Sequence, residues 1–266
     1  MSVITNKLGQ LEYLTAEGIG VPHCFTTRYG GVSEGYFSSM NIAIKEGESE
    51  ENVEKNLSIL AEALGFDLQK LVLTRQTHTD IVRKVTAADH RGLFHRDYPE
   101  CDGLVTNNPG VTLMIFTADC TPILFHDPVT GAVGACHAGW KGTAQDIGGK
   151  TVAAMVREFG CDPADIRAAI GPNIGQCCFE TDGDVPAAMV ETYGTEAERH
   201  TRTAGNKYYV NLKEINALAL RRAGVHHIDI SEDCTMCQHD RFWSHRYTRG
   251  NRGSQGALIR CKEVWE

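Results

Sequence analysis

A cysteine and a histidine each stand just after an apolar segment of this 266-residue chain. Residues of these two types can bind a transition metal or act together as a nucleophile and its base. Cys120 follows the apolar run of residues 111–116, and His137 follows a second run, residues 131–136. Neighbouring strands bring their ends to one edge of a sheet. A thiol and an imidazole arriving there can form a metal site or a Cys–His nucleophile pair. The same two residues also fit an ordinary buried cysteine and a hydrogen-bonded core histidine.

Further polar residues accompany these strand ends. His78 follows a third apolar run, residues 71–74, in the same manner. Asp119 directly precedes Cys120, where it can shuttle a proton, orient a ligand or cap the following turn. Gly139 and Gly142 follow His137 and allow the backbone to turn sharply before a helix.

A glycine-rich segment near the N-terminus is a second place for chemistry. Arg28 precedes Gly30, Gly31 and Ser33, so a guanidinium, backbone amides and a hydroxyl can face an anion there. Residues 31–35 also match the G-x-S-x-G pattern of a nucleophile elbow. That elbow requires an amphipathic helix directly afterwards, and the next residues have no helical period. We therefore favour an anion-binding loop over a serine nucleophile, with an ordinary surface turn as the alternative.

The elements that must position these residues are strands mixed with a few helices. Residues 49–65 give the clearest helix, because Ser49 can cap it, its apolar residues share one face and Gly65 ends it. No repeat, low-complexity tract or linker divides the chain, so we predict one domain over residues 1–266. Predicted helices span residues 49–65, 143–159, 184–193 and 212–223, and predicted strands span residues 11–14, 23–27, 71–74, 81–85, 102–106, 111–116, 131–136, 166–170, 227–230 and 257–260.

Charge and cysteine usage exclude several classes of protein. The formal charge of -8 argues against nucleic acid or an anionic membrane as the main partner. No signal peptide or membrane-length apolar run is present, which predicts a cytoplasmic protein with reduced cysteines. The C-x-x-C at residues 234–237 lacks a second such pair and is therefore a weak zinc signal. The adjacent Cys177 and Cys178 are not expected to share a metal, because successive strand side chains point oppositely.

Six short motifs occur in a characteristic order along the chain. They are Thr27-Arg28-x-Gly30-Gly31-Val32-Ser33, Gln76-x-His78, Ala118-Asp119-Cys120-x-Pro122, His137-Ala138-Gly139-Trp140-x-Gly142, Gly171-Pro172-x-Ile174 through Cys178-x-Glu180, and Ser244-His245-Arg246. Together they resemble the laccase-domain family, also called YfiH-like or polyphenol-oxidase-like, from about residue 21 to residue 259. Tyr247 and Phe179 depart from the pattern, since the family usually has arginine and tyrosine there.

The resemblance implies a fold and a cofactor. The fold is α+β, with two mixed β-sheets packed between helices in a four-layer α/β/β/α arrangement. The cofactor is Zn²⁺ held by His78, Cys120 and His137. The residue chemistry agrees independently, because two imidazoles, one thiolate and an open position are typical of catalytic zinc.

The resemblance also implies phosphorolysis of adenosine, inosine and methylthioadenosine, with adenosine deamination as a further activity. The partners are then a purine nucleoside and phosphate, and the chain is expected to be a monomer or a weak homodimer. Should Arg28 not bind phosphate, the site must be sought among Arg246, Arg249 and Arg252. The expected catalytic residues are Cys120, His137 and Asp119, and the expected substrate-binding residues are Arg28 and Ser33 for phosphate, Asn41 for ribose, and Gln76.

Three alternatives remain open from the sequence. One is a copper-dependent polyphenol oxidase. The eleven histidines include no His-x-His pair of the kind that multicopper centres use, although a single His₂Cys site can accept copper in vitro. Another is a metal-free cysteine hydrolase or amidase acting on peptidoglycan precursors, with Cys120 as nucleophile and His137 as base. The third is a zinc-binding scaffold without enzymatic activity.

Overall fold

Two six-stranded sheets lie face to face between helices in the computed structural model, which describes residues 2–95 and 97–262. The described residues form fifteen strands and six α-helices. The strands are β1 (Val3–Leu8), β2 (Leu11–Ala16), β3 (His23–Thr26), β4 (Leu71–Leu73), β5 (Val82–Lys84), β6 (Gly103–Thr106), β7 (Thr112–Thr117), β8 (Thr121–His126), β9 (Val133–Ala138), β10 (Arg167–Ile170), β11 (Glu180–Thr181), β12 (Thr201–Ala204), β13 (Lys207–Val210), β14 (His227–Ile230) and β15 (Gln255–Arg260). The helices are α1 (Glu50–Leu64), α2 (Trp140–Ala144), α3 (Ile147–Phe159), α4 (Asp184–Tyr193), α5 (Leu212–Arg222) and α6 (His245–Thr248).

Both large sheets are mixed. The first sheet has the order β1-β2-β3-β15-β7-β4, and the second has the order β14-β10-β8-β9-β6-β5. The pairs β4–β7, β5–β6 and β10–β14 are parallel, and the remaining pairs in these sheets are antiparallel. A small antiparallel sheet, β11-β13-β12, lies beside them. This architecture confirms the predicted α+β arrangement of two mixed sheets between helices.

The four layers follow from alternation of side chains along the strands. In β7, Leu113 and Ile115 enter the apolar core between the two sheets, whereas Met114 packs on the opposite side with α1. In β8, Leu124 faces the same inter-sheet core, whereas Ile123 packs with α3 and α5. Since both faces of these strands are buried, they read in the sequence as nearly continuous apolar runs.

Helix α1 forms where the sequence predicts it. The Ser49 hydroxyl accepts a hydrogen bond from the Asn52 amide at 3.0 Å, and Gly65 ends the helix in the left-handed conformation at φ 69°. The apolar face, including Leu57 and Leu60, packs on the outer side of the first sheet. No helix in the described ranges is both long enough and apolar enough to span a bilayer.

The helix predicted over residues 143–159 is interrupted, and the prediction was wrong at that point. Two helices, α2 and α3, occupy the region, with Asp146 between them at φ 57°. The Asp146 carboxylate accepts a hydrogen bond from the Gly149 amide at 3.1 Å and caps α3. Because aspartate tolerates the left-handed conformation and caps well, the break satisfies amides that a new helix leaves free.

Two of the connections between the sheets carry residues singled out by the sequence. Strand β4 of the first sheet leads to β5 of the second through the segment that contains His78. Strand β7 of the first sheet leads to β8 of the second through only Ala118, Asp119 and Cys120. His137 lies near the end of β9, which pairs with β8. The fold therefore brings these residues to one end of the layer between the sheets.

Candidate metal centre

The side chains of His78, Cys120 and His137 converge in the structure. Their potential ligand atoms all lie within 4.8 Å of one another. The His78 Nε2 atom is 3.9 Å from the Cys120 Sγ atom, and the two imidazole rings meet edge to face with centroids 4.9 Å apart. His137 is buried, Cys120 is half-buried and His78 is exposed, so the group opens toward solvent on one side.

A buried carboxylate that the sequence analysis missed organises this group. Asp102 has no solvent exposure, and its Oδ1 atom accepts a hydrogen bond from His137 Nδ1 at 2.7 Å. The same carboxylate accepts bonds from the amides of residues 77–79 and from the Thr79 hydroxyl. It therefore fixes the segment that carries His78 and leaves His137 Nε2 directed away from it. Asp102 is 35 residues from His137, and no local pattern in the sequence indicates the pairing.

Backbone conformations at the centre are unusual for their residue types. His78 has φ 63° and Asp119 has φ 86°, in the left-handed region that costs non-glycine residues about 1–3 kcal/mol. Position 139 requires glycine, because the His78 ring and the Cys120 sulfur approach its backbone closely. A Cβ atom there would lie 2.7 Å from the His78 ring and 3.3 Å from the Cys120 sulfur. Strained residues and a closely approached backbone cluster at functional sites, in agreement with the candidate centre.

The thiol and the imidazole shift each other's protonation. Burial raises the pKa of Cys120, but the neighbouring His137 and His78 outweigh it and lower the pKa to about 6. Burial lowers the pKa of His137, but the Cys120 thiolate and the Asp102 carboxylate raise it to about 9. Without a metal ion, Cys120 and His137 are therefore a thiolate–imidazolium pair at neutral pH.

The donor set fits zinc. Two imidazoles and one thiolate leave a fourth position for water or substrate, and the carboxylate on His137 is the outer-shell partner that orients metal-bound imidazoles. A metal ion would require His137 to be neutral, so binding must release the proton that the ion pair stabilises.

This proton release predicts a pH dependence. Between about pH 6 and pH 9, Cys120 is a thiolate and His137 must lose a proton before the metal binds, so this pair should make zinc affinity rise about tenfold per pH unit. Below about pH 6, Cys120 is protonated as well, so zinc affinity should depend on pH more steeply. The measurement is zinc competition against a chromophoric chelator across pH, with Cys120→Ala in parallel to isolate this site. Affinity that does not change between pH 6 and pH 9 would contradict the ion pair.

Asp119 is held by hydrogen bonds. Its Oδ1 atom accepts from the Thr235 hydroxyl at 2.6 Å, and its Oδ2 atom accepts from the Arg246 amide at 2.6 Å. Its backbone carbonyl also accepts from the Ile174 amide at 2.9 Å. These bonds allow Asp119 to position Cys120, and its role in proton transfer stays a prediction.

The Arg28 side chain forms hydrogen bonds with backbone carbonyls of the same chain. Its Nε and Nη2 atoms donate to the Ser38 carbonyl at 3.1 and 2.8 Å, and its Nη1 atom donates to the His239 carbonyl at 2.8 Å. The guanidinium lies over the Trp243 ring, 4.0 Å from the centroid. These contacts hold the glycine-rich loop against the segment that precedes α6. They use three of the five N–H donors of the guanidinium, and its role in binding phosphate stays a prediction.

Ser33, Asn41 and Gln76 also make internal contacts. The Ser33 hydroxyl accepts from the Asn56 amide at 2.9 Å, and both side-chain atoms of Asn41 bond to the backbone two residues further on, at 3.2 and 2.9 Å. Both side-chain atoms of Gln76 bond to the Phe116 backbone, at 2.7 and 2.8 Å. These contacts fix the walls of the region, and the role of the three residues as substrate ligands stays a prediction.

Arg252, which is half-buried near the candidate centre, also has the chemistry of an anion ligand. Of the three arginines named as alternatives, Arg246 donates twice to the Glu180 carbonyl and Arg249 is exposed. Arg252 donates through Nη1 to the Ser254 hydroxyl at 2.8 Å, while its buried Nε atom has no hydrogen-bond partner among the described residues. Burial lowers its pKa, and Asp119 and Cys120 are near enough to act on it electrostatically.

A cavity of about 410 Å³ lies next to these residues. The metal-ligand candidates themselves do not line it, but Thr77, adjacent to His78, and Ser254, the partner of Arg252, do. Phe94 and Phe116 contribute aromatic surface. The cavity therefore extends from the side of the candidate centre where Arg252 lies, and its volume suits a ligand of nucleoside size.

A second group of possible metal ligands consists of Cys177, Cys178, Cys234 and Cys237. From the sequence, the C-x-x-C was a weak zinc signal and the adjacent cysteines were not expected to share a metal. The structure corrects both expectations. Cys177 and Cys178 lie in a turn rather than a strand, so their side chains need not point oppositely, and the fold supplies them as the missing second pair.

Comparisons with known proteins agree with the fold and the motif order. The family described as "Multi-copper polyphenol oxidoreductase laccase" matches residues 22–262. The chain is 41% identical over 247 residues to "Purine nucleoside phosphorylase YlmD" of Geobacillus stearothermophilus, covering 90% of each chain. It is 34% identical over 251 residues to "Purine nucleoside phosphorylase LACC1" of Mus musculus, covering 91% of this chain and 56% of that protein. The crystal structure of YfiH from Bacillus licheniformis superposes with a TM-score of 0.91 at 37% identity, covering 97% of this chain and 99% of that one.

Proposed function

Since this chain belongs to the laccase-like family of YfiH-type proteins, we propose that it is a zinc-dependent purine nucleoside phosphorylase. Its substrates in this proposal are adenosine, inosine and methylthioadenosine, with adenosine deamination as a second activity. Relatives named purine nucleoside phosphorylase support the reaction class. The residues of the candidate centre and Arg252 support the zinc and phosphate parts of the proposal.

The observation that carries the proposal is the position of Arg252. This half-buried side chain lies within electrostatic reach of Cys120 and has a buried, unpartnered Nε atom. Its Nη1 atom donates to the Gly253 carbonyl and to the Ser254 hydroxyl at the cavity wall. A guanidinium donates parallel charge-assisted hydrogen bonds to tetrahedral phosphate. An anion held there would lie between the candidate metal centre and a cavity of nucleoside size.

In this proposal, Arg252 and the cavity residues bind different parts of the two substrates. Arg252 binds phosphate and orients one of its oxygens toward C1′ of the ribose, while the cavity holds the nucleoside with Phe94 and Phe116 beside the purine. The C1′–O bond to phosphate forms as the C1′–N bond to the purine breaks, giving ribose 1-phosphate and a purine that takes up a proton. Orientation of this kind lowers the barrier by fixing the reactants in advance.

The metal would be held by His78, Cys120 and His137, with Asp102 orienting His137. When bound, zinc supplies Lewis-acid polarisation of the purine or of a water molecule. The same site serves deamination, in which water replaces the amino group of adenosine and ammonia leaves. Deamination needs no phosphate, so Arg252 contributes to only one of the two activities.

A cysteine hydrolase acting on amide substrates, such as peptidoglycan precursors, is a second candidate. It is favoured by the thiolate–imidazolium pair of Cys120 and His137, with Asp102 orienting the imidazole. That arrangement has the parts of a nucleophile–base–carboxylate triad when no metal is bound. Zinc would occupy the nucleophile, so the two candidates require opposite metal states.

A multicopper oxidase receives less support from the structure. The two groups of possible ligands in the described residues are the His₂Cys site and the four cysteines, and neither contains several clustered imidazoles. Copper bound at the His₂Cys site in vitro remains compatible with this chemistry, because such donors bind Cu²⁺ more tightly than Zn²⁺.

A nucleoside panel tests the proposal directly. Protein purified without chelator is incubated with adenosine, inosine and methylthioadenosine, with and without phosphate, and then again after metal removal and zinc restoration. We expect purine release that requires phosphate and zinc. Amide hydrolysis that appears only after metal removal, with no purine release in any condition, would favour the cysteine hydrolase instead.

The Arg252→Lys variant separates the two nucleoside activities. Lysine keeps the charge but loses the fork, so we expect a cost of about 1.5 kcal/mol in charged hydrogen bonding, or about tenfold in kcat/KM for phosphorolysis. Deamination should change little, since water replaces phosphate. Inosine phosphorolysis and adenosine deamination are measured on one preparation, with the exposed Arg249→Lys as control. Equal losses in both activities would assign Arg252 to the pocket in general rather than to phosphate.

Several expectations stay predictions. These are a cytoplasmic location, one laccase-like domain over residues 1–266, the absence of nucleic-acid or membrane partners, and a monomer or weak homodimer. Size-exclusion chromatography with light scattering over a range of concentrations measures the last of these.

A further inference from the structure

Four cysteine side chains from two distant segments meet away from the candidate centre. Cys177 and Cys178 lie in the turn before β11, and Cys234 and Cys237 lie between β14 and α6. The Cys237 Sγ atom is 3.5 Å from that of Cys177 and 3.4 Å from that of Cys178. All four sulfurs lie within 4.8 Å of one another. A disulfide bond is about 2.05 Å long, so these are four free thiols in contact.

Two backbone amides donate hydrogen bonds to one of these sulfurs, that of Cys234. The Gly175 amide donates to Cys234 Sγ at 3.1 Å, and the Cys237 amide donates to the same atom at 3.5 Å. A neutral thiol is a weak acceptor, whereas a thiolate is stabilised by N–H groups directed at it. A Cβ atom at position 175 would lie 3.2 Å from Cys177 Sγ and 3.2 Å from Cys234 Cβ, so glycine allows the two segments to approach.

The spacing of the sulfurs suits a tetrahedral ion. Zinc binds thiolates at about 2.3 Å, which places four tetrahedral sulfurs about 3.8 Å apart. The 3.4–3.5 Å separations and the 4.8 Å limit bracket that value, so only small side-chain rotations are needed. A positive charge is also at hand. The buried Lys213 ammonium bonds to the Asp233 carbonyl and acts electrostatically on Cys234 and Cys177, which offsets part of the charge of four thiolates.

We propose that Cys177, Cys178, Cys234 and Cys237 form a second metal site, a tetrathiolate that binds one zinc ion. Four protein ligands leave no open position, so the site is structural rather than catalytic. The inference rests on the geometry of these residues and does not depend on the proposed function.

The tetrathiolate site would hold the wall of the candidate centre. Thr235, between two of the ligands, donates to the Asp119 carboxylate at 2.6 Å, and its amide donates to the Asn173 carbonyl at 2.9 Å. Asn173 in turn donates to the Thr121 hydroxyl at 2.6 Å. Asp119 and Thr121 flank Cys120, so a zinc ion at the tetrathiolate site would fix the segments on which that thiolate rests.

Metal stoichiometry tests the proposal. Protein is purified under reducing conditions without chelator, and zinc is measured per chain in the parent, in Cys120→Ala, in the double variant Cys177→Ser with Cys237→Ser, and in the triple variant. We expect two, one, one and zero equivalents. Cys161→Ser is the matched control, because its thiol contacts Thr130 rather than the cluster, and it should keep both ions. A double variant that retains the zinc content of the parent would overturn the site.

Two further measurements test the proposal even if the double variant does not fold. In Cys120→Ala loaded with Co²⁺ alone, we expect intense thiolate-to-cobalt charge transfer from a tetrahedral site, and its absence would refute the proposal. In the parent protein, zinc should protect the four cysteines from alkylation, mapped by mass spectrometry, until chelator is added. Alkylation at an unchanged rate before and after chelation, a disulfide within the cluster of the reduced preparation, or iron in place of zinc would each contradict a zinc tetrathiolate.

Discussion

Replacing Cys120 with alanine is expected to remove the metal ion from the His78–Cys120–His137 centre and to lower phosphorolysis about 10³-fold or more. The loss of an outer-shell partner already costs about 10–100-fold in metal affinity or activity, and a direct thiolate ligand should cost more. Two imidazoles alone are too few protein ligands for zinc, and His78 is exposed. Metal content and inosine phosphorolysis are measured on the same preparation.

A control variant separates the thiolate ligand from a general loss of a cysteine. Cys161→Ala removes another buried thiol and should keep both metal and activity. If Cys120→Ala keeps full zinc content, the three residues are not the metal site. If it loses zinc but keeps phosphorolysis, the metal belongs to the protein without serving the reaction.

Asp102→Asn should have the next largest effect, a weakening of zinc affinity by about 10–100-fold. The side chain keeps its shape, but an amide has only one acceptor oxygen for donors that now approach both oxygens. Burial raises the pKa of this carboxyl, but hydrogen bonds from His137 and Thr79 outweigh it and hold the pKa below its usual value. The native interactions therefore favour the charged form, which asparagine cannot supply.

Zinc competition titrations measure the change in affinity. Asp89→Asn is the control, since Asp89 is a half-buried carboxylate that pairs with Arg83 at 3.2 Å and lies in a different turn. Excess zinc should restore most of the phosphorolysis lost by Asp102→Asn, because the direct ligands remain. Unchanged affinity in Asp102→Asn would mean that the carboxylate serves only to hold residues 77–79.

Local sequence patterns were enough to predict helix α1 and the meeting of Cys120 with His137. Helix α1 has a cap, an apolar stripe and a terminating glycine within one segment, and each acts over a few residues. The convergence of Cys120 and His137 was also predictable, because polar residues that follow buried strands must gather at a sheet edge. The motif order then indicated the fold that brings His78 to the same place.

The residues that escaped prediction depend on long-range geometry. Asp102 meets His137 only because β6 and β9 are paired, and the four cysteines meet only because β10 and β14 are neighbours. Arg28 has the chemistry of an anion ligand, yet three of its five N–H donors bond to carbonyl oxygens elsewhere in the chain. Residue type indicates which chemistry is possible, whereas the tertiary partner decides whether the side chain is free for it.

The position of β15 in the middle of the first sheet has a consequence for synthesis on the ribosome. This strand, Gln255–Arg260, lies between β3 and β7, so the two parts of the sheet join only after residues 255–260 have been made. At about 5–20 residues per second, β3 waits roughly 10–50 s for this neighbour. The second sheet uses residues 82–230 and can pair earlier. The second sheet can therefore be completed before the first during synthesis, and the nascent β3 keeps an unpaired edge that is open to aggregation until β15 has been made.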